Sequence, residues 1–220
     1  MKEQTMLKLY TFWRSSASYR VRIALNLKGL PHELIPVNIV KDGGAQYSPE
    51  YRALNPQSRV PLLLDGDFKL NQSLAILEYL EELHPQPSLL PHEARRRARM
   101  WAFCHTIAGD IQPLQNLGPL AYLTREFAAT DEQKGAWLKH WIERGLSALE
   151  EEMGGESAGA FTFGDQPTLA ECVLVPQLYA AARFGCDATK YPRLAAIGER
   201  CNATEAFAGA HPERQPDRPT

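Results

Sequence analysis

The spacing of apolar residues changes twice along the chain. Near the amino end, Leu7-Lys8-Leu9-Tyr10-Thr11-Phe12 alternates in the way a half-buried strand does. Val21, Ala24, Leu25 and Leu27 then recur at helical spacing, and Lys28-Gly29 supplies a basic last turn and a glycine stop. Pro31–Ile39 reads as a second strand, which Pro36 places at a sheet edge. Ser48-Pro49-Glu50 opens a short helix with proline in its first turn, and Asn55-Pro56 ends it. The runs Ser58–Leu64 and Asp67–Leu70 flank Asp65-Gly66, a hairpin signal. Asn71-Gln72-Ser73 leads into a helix from Leu74 that stops before His84-Pro85, with Ser73 as its expected cap. The order is β-α-β-α-β-β-α, with a crossover suited to parallel strands and then a terminal hairpin.

Three prolines within His84–Pro91 form a stiff linker, and beyond it the pattern is helical only. Helices are expected over about 93–108, from Asp110-Ile111-Gln112-Pro113 to about Leu123, from Asp131 to Met153 with a stop at Gly154-Gly155, and from about Pro192 to Cys201. Between the last two, Thr168 with Glu171 makes a capping box before Cys172-Val173-Leu174-Val175. That helix is apolar nearly all round, so it should be the buried centre of a second domain. The polar, proline-rich tail is expected to pack loosely. The division is therefore a mixed α/β domain over 6–84, a linker over 85–92 and an all-α domain over 93–215.

Composition narrows the function more than it directs it. The chain has 220 residues, enough for one large domain or two modest ones, with 44% hydrophobic and 23% charged residues. A net charge of −2 gives no general attraction to nucleic acid or to an anionic membrane. The cluster Arg95, Arg96, Arg97 and Arg99 lacks interleaved stacking aromatics, and reads as a solvated helix face or a subunit contact. The N-terminus Met1-Lys2-Glu3-Gln4-Thr5 is polar, and no signal peptide or twenty-residue apolar run follows it. Cys104, Cys172, Cys186 and Cys201 have no metal-ligand or C-x-x-C spacing, as expected of reduced thiols in the cytoplasm, so no metal is expected.

Candidate chemistry gathers at Arg14-Ser15-Ser16-Ala17-Ser18-Tyr19-Arg20. A strand here feeds a loop of hydroxyls into the N-terminus of a helix, where unpaired N–H groups and the positive end of the helix dipole favour an anion. The serines also suit a plain capping role. Three within four residues, between two arginines, favour a bound anion.

Ser15-Ser16-Ala17-Ser18-Tyr19-Arg20-Val21-Arg22-Ile23-Ala24-Leu25 resembles the signature S-S-C-S-x-R-V-R-I-A-L of the zeta-class glutathione transferases. The likeness continues through Leu54-Asn55-Pro56, Val60-Pro61, Gln72–Ile76, Ile111–Asn116, Phe163-Gly164-Asp165, Val175-Pro176-Gln177, Ala182-Arg183-Phe184, Tyr191-Pro192 and Gln215-Pro216-Asp217. It covers nearly the whole chain. It implies the glutathione transferase fold, with a thioredoxin-like N-terminal domain and an all-helical C-terminal one, and a cytoplasmic homodimer. The activity implied is cis–trans isomerisation of maleylacetoacetate in aromatic catabolism, with glutathione as cofactor and an anionic small molecule as substrate.

The resemblance also implies roles. Val60-Pro61 would be a cis peptide that turns the Val60 backbone, beside Arg59, toward the cysteinyl part of glutathione. Gln72 and Ser73 would hold the γ-glutamyl end, Gln46 the glycyl end, and Gln112 and Asn116 would add contacts from the second domain. Ser15, then Ser16, would hold the sulfur as thiolate, because a free thiol of pKa about 8.5 is scarcely ionised at neutral pH. Arg14 and Arg183 are the candidates for the substrate carboxylates, since guanidinium forks match them, though each also suits a structural ion pair. Ala17 stands where the class has cysteine, which removes a mixed-disulfide route and leaves the serine route intact. Maleylpyruvate isomerase, a conjugating transferase or dehalogenase, and a non-catalytic binding module are the alternatives. The stretch Asn116-Leu117-Gly118, which carries no arginine for an extra carboxylate, tilts the choice toward maleylacetoacetate.

Overall fold

A computed structural model describes residues 6–154 and 159–219. The residues before Met6 and Gly155 of the expected helix stop lie outside the described residues. The chain forms two compact units: one holds the residues up to Ser88 together with those from Thr204 onward, and the other is Leu89–Ala203.

The first unit is built on a four-stranded sheet of order β2-β1-β3-β4. Strand β1 (Leu7–Thr11) pairs in parallel with β2 (His32–Pro36) and antiparallel with β3 (Leu62–Asp65), which pairs antiparallel with β4 (Phe68–Asn71). Leu9 lies opposite Leu34 on one side and Leu63 on the other, so apolar residues stack across the sheet. The expected edge position of Pro36 is met, since β2 is an outer strand. The hairpin corner is Gly66-Asp67, one residue beyond the expected Asp65-Gly66, because Asp65 is paired with Phe68.

Helices α1 (Ser16–Leu27), α2 (Pro49–Leu54) and α3 (Ser73–Leu83) connect and follow the strands. In α1, Val21, Ile23, Ala24 and Leu25 are fully buried, and so, nearly, are Arg20 and Arg22. The cap of α3 differs from the expectation. Gln72 occupies the N-cap with no side-chain capping bond, and Ser73 is the first helical residue. Its hydroxyl serves instead as acceptor for the buried guanidinium of Arg20. Lys28 roots the linker: its ammonium pairs with the buried Glu81 carboxylate at 2.6 Å and donates to the carbonyls of His84 and Pro87.

The C-terminal segment also departs from expectation. The sequence suggests a loose tail, with the helical domain running to 215. In the structure, α9 (Glu205–Ala210; the helices between belong to the second unit) packs on α1. Phe207 and Ala210 are buried, and the Gln215 amide donates to the carbonyls of Gly209 and His211. One buried phenylalanine and a single folded-back glutamine give this segment order that its polar composition hides.

The second unit contains α4 (Ala94–His105), α5 (Leu117–Phe127), α6 (Asp131–Met153), α7 (Leu169–Arg183) and α8 (Pro192–Asn202), with no strand among its described residues. The expected helix from Asp110 to Leu123 is not continuous. A π-helical turn over Thr106–Ile111 continues α4, a 3-10 turn over Gln112–Gln115 follows, and α5 starts only after Asn116. Pro113 lacks an N–H, so the α-helical hydrogen-bond ladder does not run on through it. Gly145 of α6 leaves Ile111 space that even a Cβ would fill. As expected, α7 is the buried centre: Leu169 to Val175 are at most 2% exposed. The capping box holds, and Glu171 additionally accepts from the Thr162 N–H at 2.7 Å. All four cysteines are free thiols, and burial pushes that of Cys172 well up. No described helix is long and apolar enough to cross a membrane.

Candidate active site

The turn between β1 and α1 presents the serines. Ser15 is the N-cap of α1 in extended backbone, and its Oγ accepts from the Ser18 N–H at 3.2 Å. The capping reading is therefore correct for its oxygen. The lone pair is used on the helix, and the hydroxyl proton remains to be donated outward. Ser16 and Ala17 form the first turn, where N–H groups have no intrahelical partner. Ser15, Ser16 and Ala17 are all half-buried, which lets an anion reach them while much of the water is excluded. The Arg14 guanidinium lies 5.3 Å from the centre of the Trp13 ring.

This turn is held from beneath. Arg22 donates through Nη1 to Thr11 Oγ1 at 2.9 Å and through Nη2 to the Trp13 carbonyl at 2.9 Å. Burial lowers the Arg22 pKa to about 10, with Asp217 opposing the shift, so the guanidinium stays charged at neutral pH.

The second cluster is at the head of α3. Arg20 Nη1 donates to Ser73 Oγ at 3.1 Å, and the Gln72 amide donates to Gln57 Oε1 at 2.7 Å. Gln72 has φ 70° and ψ 111°, a conformation that side chains rarely adopt. The Val60-Pro61 bond is cis, as the resemblance implies. Just before it, the Arg59 carbonyl accepts from Tyr51 Oη at 2.6 Å and from Asn55 Nδ2 at 2.8 Å. Burial pushes the Tyr51 pKa up to about 12, which keeps its hydroxyl a donor. Asn55 also accepts from the Gln57 N–H and from Asn71 Nδ2, which ties the 55–61 loop to β4. The Arg59 side chain is exposed.

Gln46 is turned inward. It is 4% exposed and donates to the Ile39 carbonyl, while its Oε1 has no partner among the described residues. Gly44 makes room for it, because a Cβ there would overlap the Gln46 amide. In the second unit, Gln112 donates to Asn116 Oδ1 at 2.7 Å, so these two expected site residues are brought together. Arg183 ends α7, exposed, with its guanidinium 4.5 Å from the Phe184 ring centre.

The sequence reading used Arg20 only as nearby charge and gave no role to Arg22, Asn55, Gln57 or Asp217. The available signal was two arginines inside an otherwise apolar helical run, a position where a charge must find buried acceptors. The donor set suits glutathione chemically. One helix N-terminus with a hydroxyl is chemically suited to a thiolate, and a second with a buried cation behind it to a carboxylate.

A thioredoxin-like unit with these two helix N-termini, followed by a helical unit, defines a glutathione transferase. The family models for the glutathione S-transferase N-terminal and C-terminal domains match residues 9–88 and 123–197. Maleylacetoacetate isomerase of Pseudomonas aeruginosa is 48% identical over 97% of this chain and 99% of its own. A holo structure of maleyl pyruvate isomerase, described as a bacterial glutathione S-transferase in the zeta class, superposes with TM-score 0.93 at 44% identity, covering 96% of this chain and 100% of that one. A maleylacetoacetate isomerase from Anaeromyxobacter dehalogenans with bound dicarboxyethyl glutathione and citrate is 43% identical, with TM-score 0.87, over 100% of this chain and 96% of that one. The chain belongs to the zeta-class glutathione transferases, the family of the maleylacetoacetate and maleylpyruvate isomerases.

Proposed function

We propose that the protein is a glutathione-dependent cis–trans isomerase that converts maleylacetoacetate to fumarylacetoacetate, acting as a cytoplasmic homodimer. The observation that carries the reading is Ser15: its oxygen caps α1 and leaves the hydroxyl proton free to donate beside unpaired first-turn N–H groups. Glutathione, when bound, supplies a thiolate that adds reversibly to the double bond and is returned unchanged. The protein must keep that sulfur ionised. Lowering a thiol pKa of about 8.5 by about two units requires roughly 2.7 kcal/mol, which the Ser15 hydroxyl, Ser16 and the helix N-terminus share.

Ser73 at the head of α3, backed by Arg20, receives the γ-glutamyl carboxylate, with Gln72 beside it. The Val60 backbone meets the cysteinyl unit next to Arg59. Gln46 lies near the glycyl end, and Gln112 and Asn116 add polar contacts. Arg14 and Arg183 orient the carboxylate-bearing substrate and offset the charge that develops on it. That one relative holds a glutathione carrying a dicarboxyethyl group supports the need for such cations.

Maleylpyruvate isomerisation is the second reading, favoured by the 44% identity to a maleylpyruvate isomerase of Ralstonia. One assay separates isomerase from transferase. With glutathione far below the substrate concentration, maleylacetoacetate should be fully converted and the free thiol recovered. Loss of one thiol per turnover would make the protein a conjugating transferase.

A further inference from the structure

Trp13 lies on the turn that leads to Arg14 and Ser15, and both of its backbone polar groups are taken by side chains. Its N–H donates to Asp217 Oδ2 at 2.8 Å and its carbonyl accepts from Arg22 Nη2 at 2.9 Å. The Phe12 carbonyl accepts from the Ser15 N–H at 3.0 Å and more weakly from Arg22 Nη1 at 3.4 Å. Arg22 Nε in turn donates to the Ala210 carbonyl at 3.2 Å, at the end of α9. Asn26 on the next turn of α1 donates to the Ala206 carbonyl at 2.9 Å. The segment from Thr204 is thus fastened to α1 at several points, and delivers a carboxylate to the residue two before Ser15.

We propose that Asp217 is a positioning residue for the thiolate site: by holding the Trp13 N–H against the Arg22 clamp, it fixes the turn that aims the Ser15 hydroxyl. This rests on the role proposed above for Ser15, not on the identity of the substrate. A hydroxyl stabilises an anion only if it is aimed before the anion forms, and a turn free to rotate loses that advantage. Asp217 is near the C-terminus and half-exposed, so the chain holds its site with residues 204 apart in sequence.

The test is a pH titration of the thiol of bound glutathione, followed by its thiolate absorbance, in Asp217→Ala and Asp217→Asn. The alanine variant should raise the bound thiol pKa by about one unit, which lowers turnover about threefold at pH 7 and restores it at alkaline pH. The asparagine variant retains an acceptor for the Trp13 N–H and should keep the wild-type titration. An unchanged thiol pKa in Asp217→Ala overturns the proposal, as does an equal shift in Asp217→Asn. Should the alanine variant fold poorly, Asp217→Leu, which also lacks an acceptor, replaces it under the same criteria. Because the titration needs only glutathione, it stands apart from the substrate reading. An Asp217-dependent thiol pKa without maleylacetoacetate turnover would uphold this role and reject that substrate.

Discussion

Arg20 and Ser73, 53 residues apart, are joined by a 3.1 Å hydrogen bond from the guanidinium to the hydroxyl. Arg20 is 2% exposed, so a full charge stands in the interior directly behind the first residue of α3. A carboxylate bound at that helix end meets the hydroxyl, the helix dipole and this cation together. Arg20→Met should weaken glutathione binding about tenfold or more, since a hydrogen bond involving a charged group contributes roughly 1.5–3 kcal/mol. The bound thiol pKa should move little. Calorimetry with glutathione, and with an analogue lacking the glutamyl α-carboxylate, checks this. Equal loss for both ligands would mean that Arg20 only supports the fold.

Gln72 holds a positive φ that glycine adopts without cost, and such backbone conformations cost other residues about 1–3 kcal/mol. Gln72→Gly should therefore raise the thermal midpoint while weakening glutathione binding, because the amide held by Gln57 is lost. A variant that is less stable, or that binds as before, would show that neither the strain nor the amide serves the site.

His211 links stability to pH. Burial lowers its pKa below the usual value, with Glu213 opposing and Arg214 and Arg22 adding to the shift. Its neutral Nδ1 accepts from the Glu213 N–H, and its ring packs edge-on against Tyr19. A depressed pKa means that the unfolded chain takes the proton more readily. The stability contribution is therefore complete above about pH 6.5 and is lost as pH falls through the lower folded value. Melting curves between pH 7 and pH 5 should show a falling midpoint, with a shallower slope in His211→Gln. An identical slope in that variant would remove His211 from this role.

Arg183→Met should lower kcat/KM for a maleyl diacid about 30-fold, the low end of the cost of truncating a charged pair, because the side chain is exposed. Conjugation of a neutral electrophile should change little. Equal loss on both substrates would assign Arg183 a structural part.

The order of elements in the sheet-bearing unit was legible because strand and helix periods alternate cleanly from Leu7 to Leu80. The helix N-terminus at Ser15 was legible for a similar reason: a local run of hydroxyls before helical spacing declares itself. Ser73 misled because a capping serine and a first-turn serine look alike in sequence, and only the buried Arg20 guanidinium distinguishes them. The π and 3-10 turns between Thr106 and Gln115 depend on Gly145, which lies in another helix. The ordered C-terminal segment owes its place to long-range bonds, Asn26 to Ala206 and Trp13 to Asp217, that no local pattern carries.

The most direct measurement is the pKa of the glutathione thiol when bound, in the wild-type protein and in Ser15→Ala. The wild-type value should lie about two units below the free value of about 8.5, and the alanine variant should recover at least about one unit of that shift. Glutathione affinity should change far less than turnover, a split that marks stabilisation of the reacting sulfur over ground-state binding. Loss of the N-cap should also lower stability by about 1 kcal/mol, so the titration is made well below the variant's melting temperature. A wild-type thiol that titrates near 8.5, or a shift produced by Ser16→Ala and not by Ser15→Ala, would contradict the assignment of Ser15 as the residue that holds the thiolate.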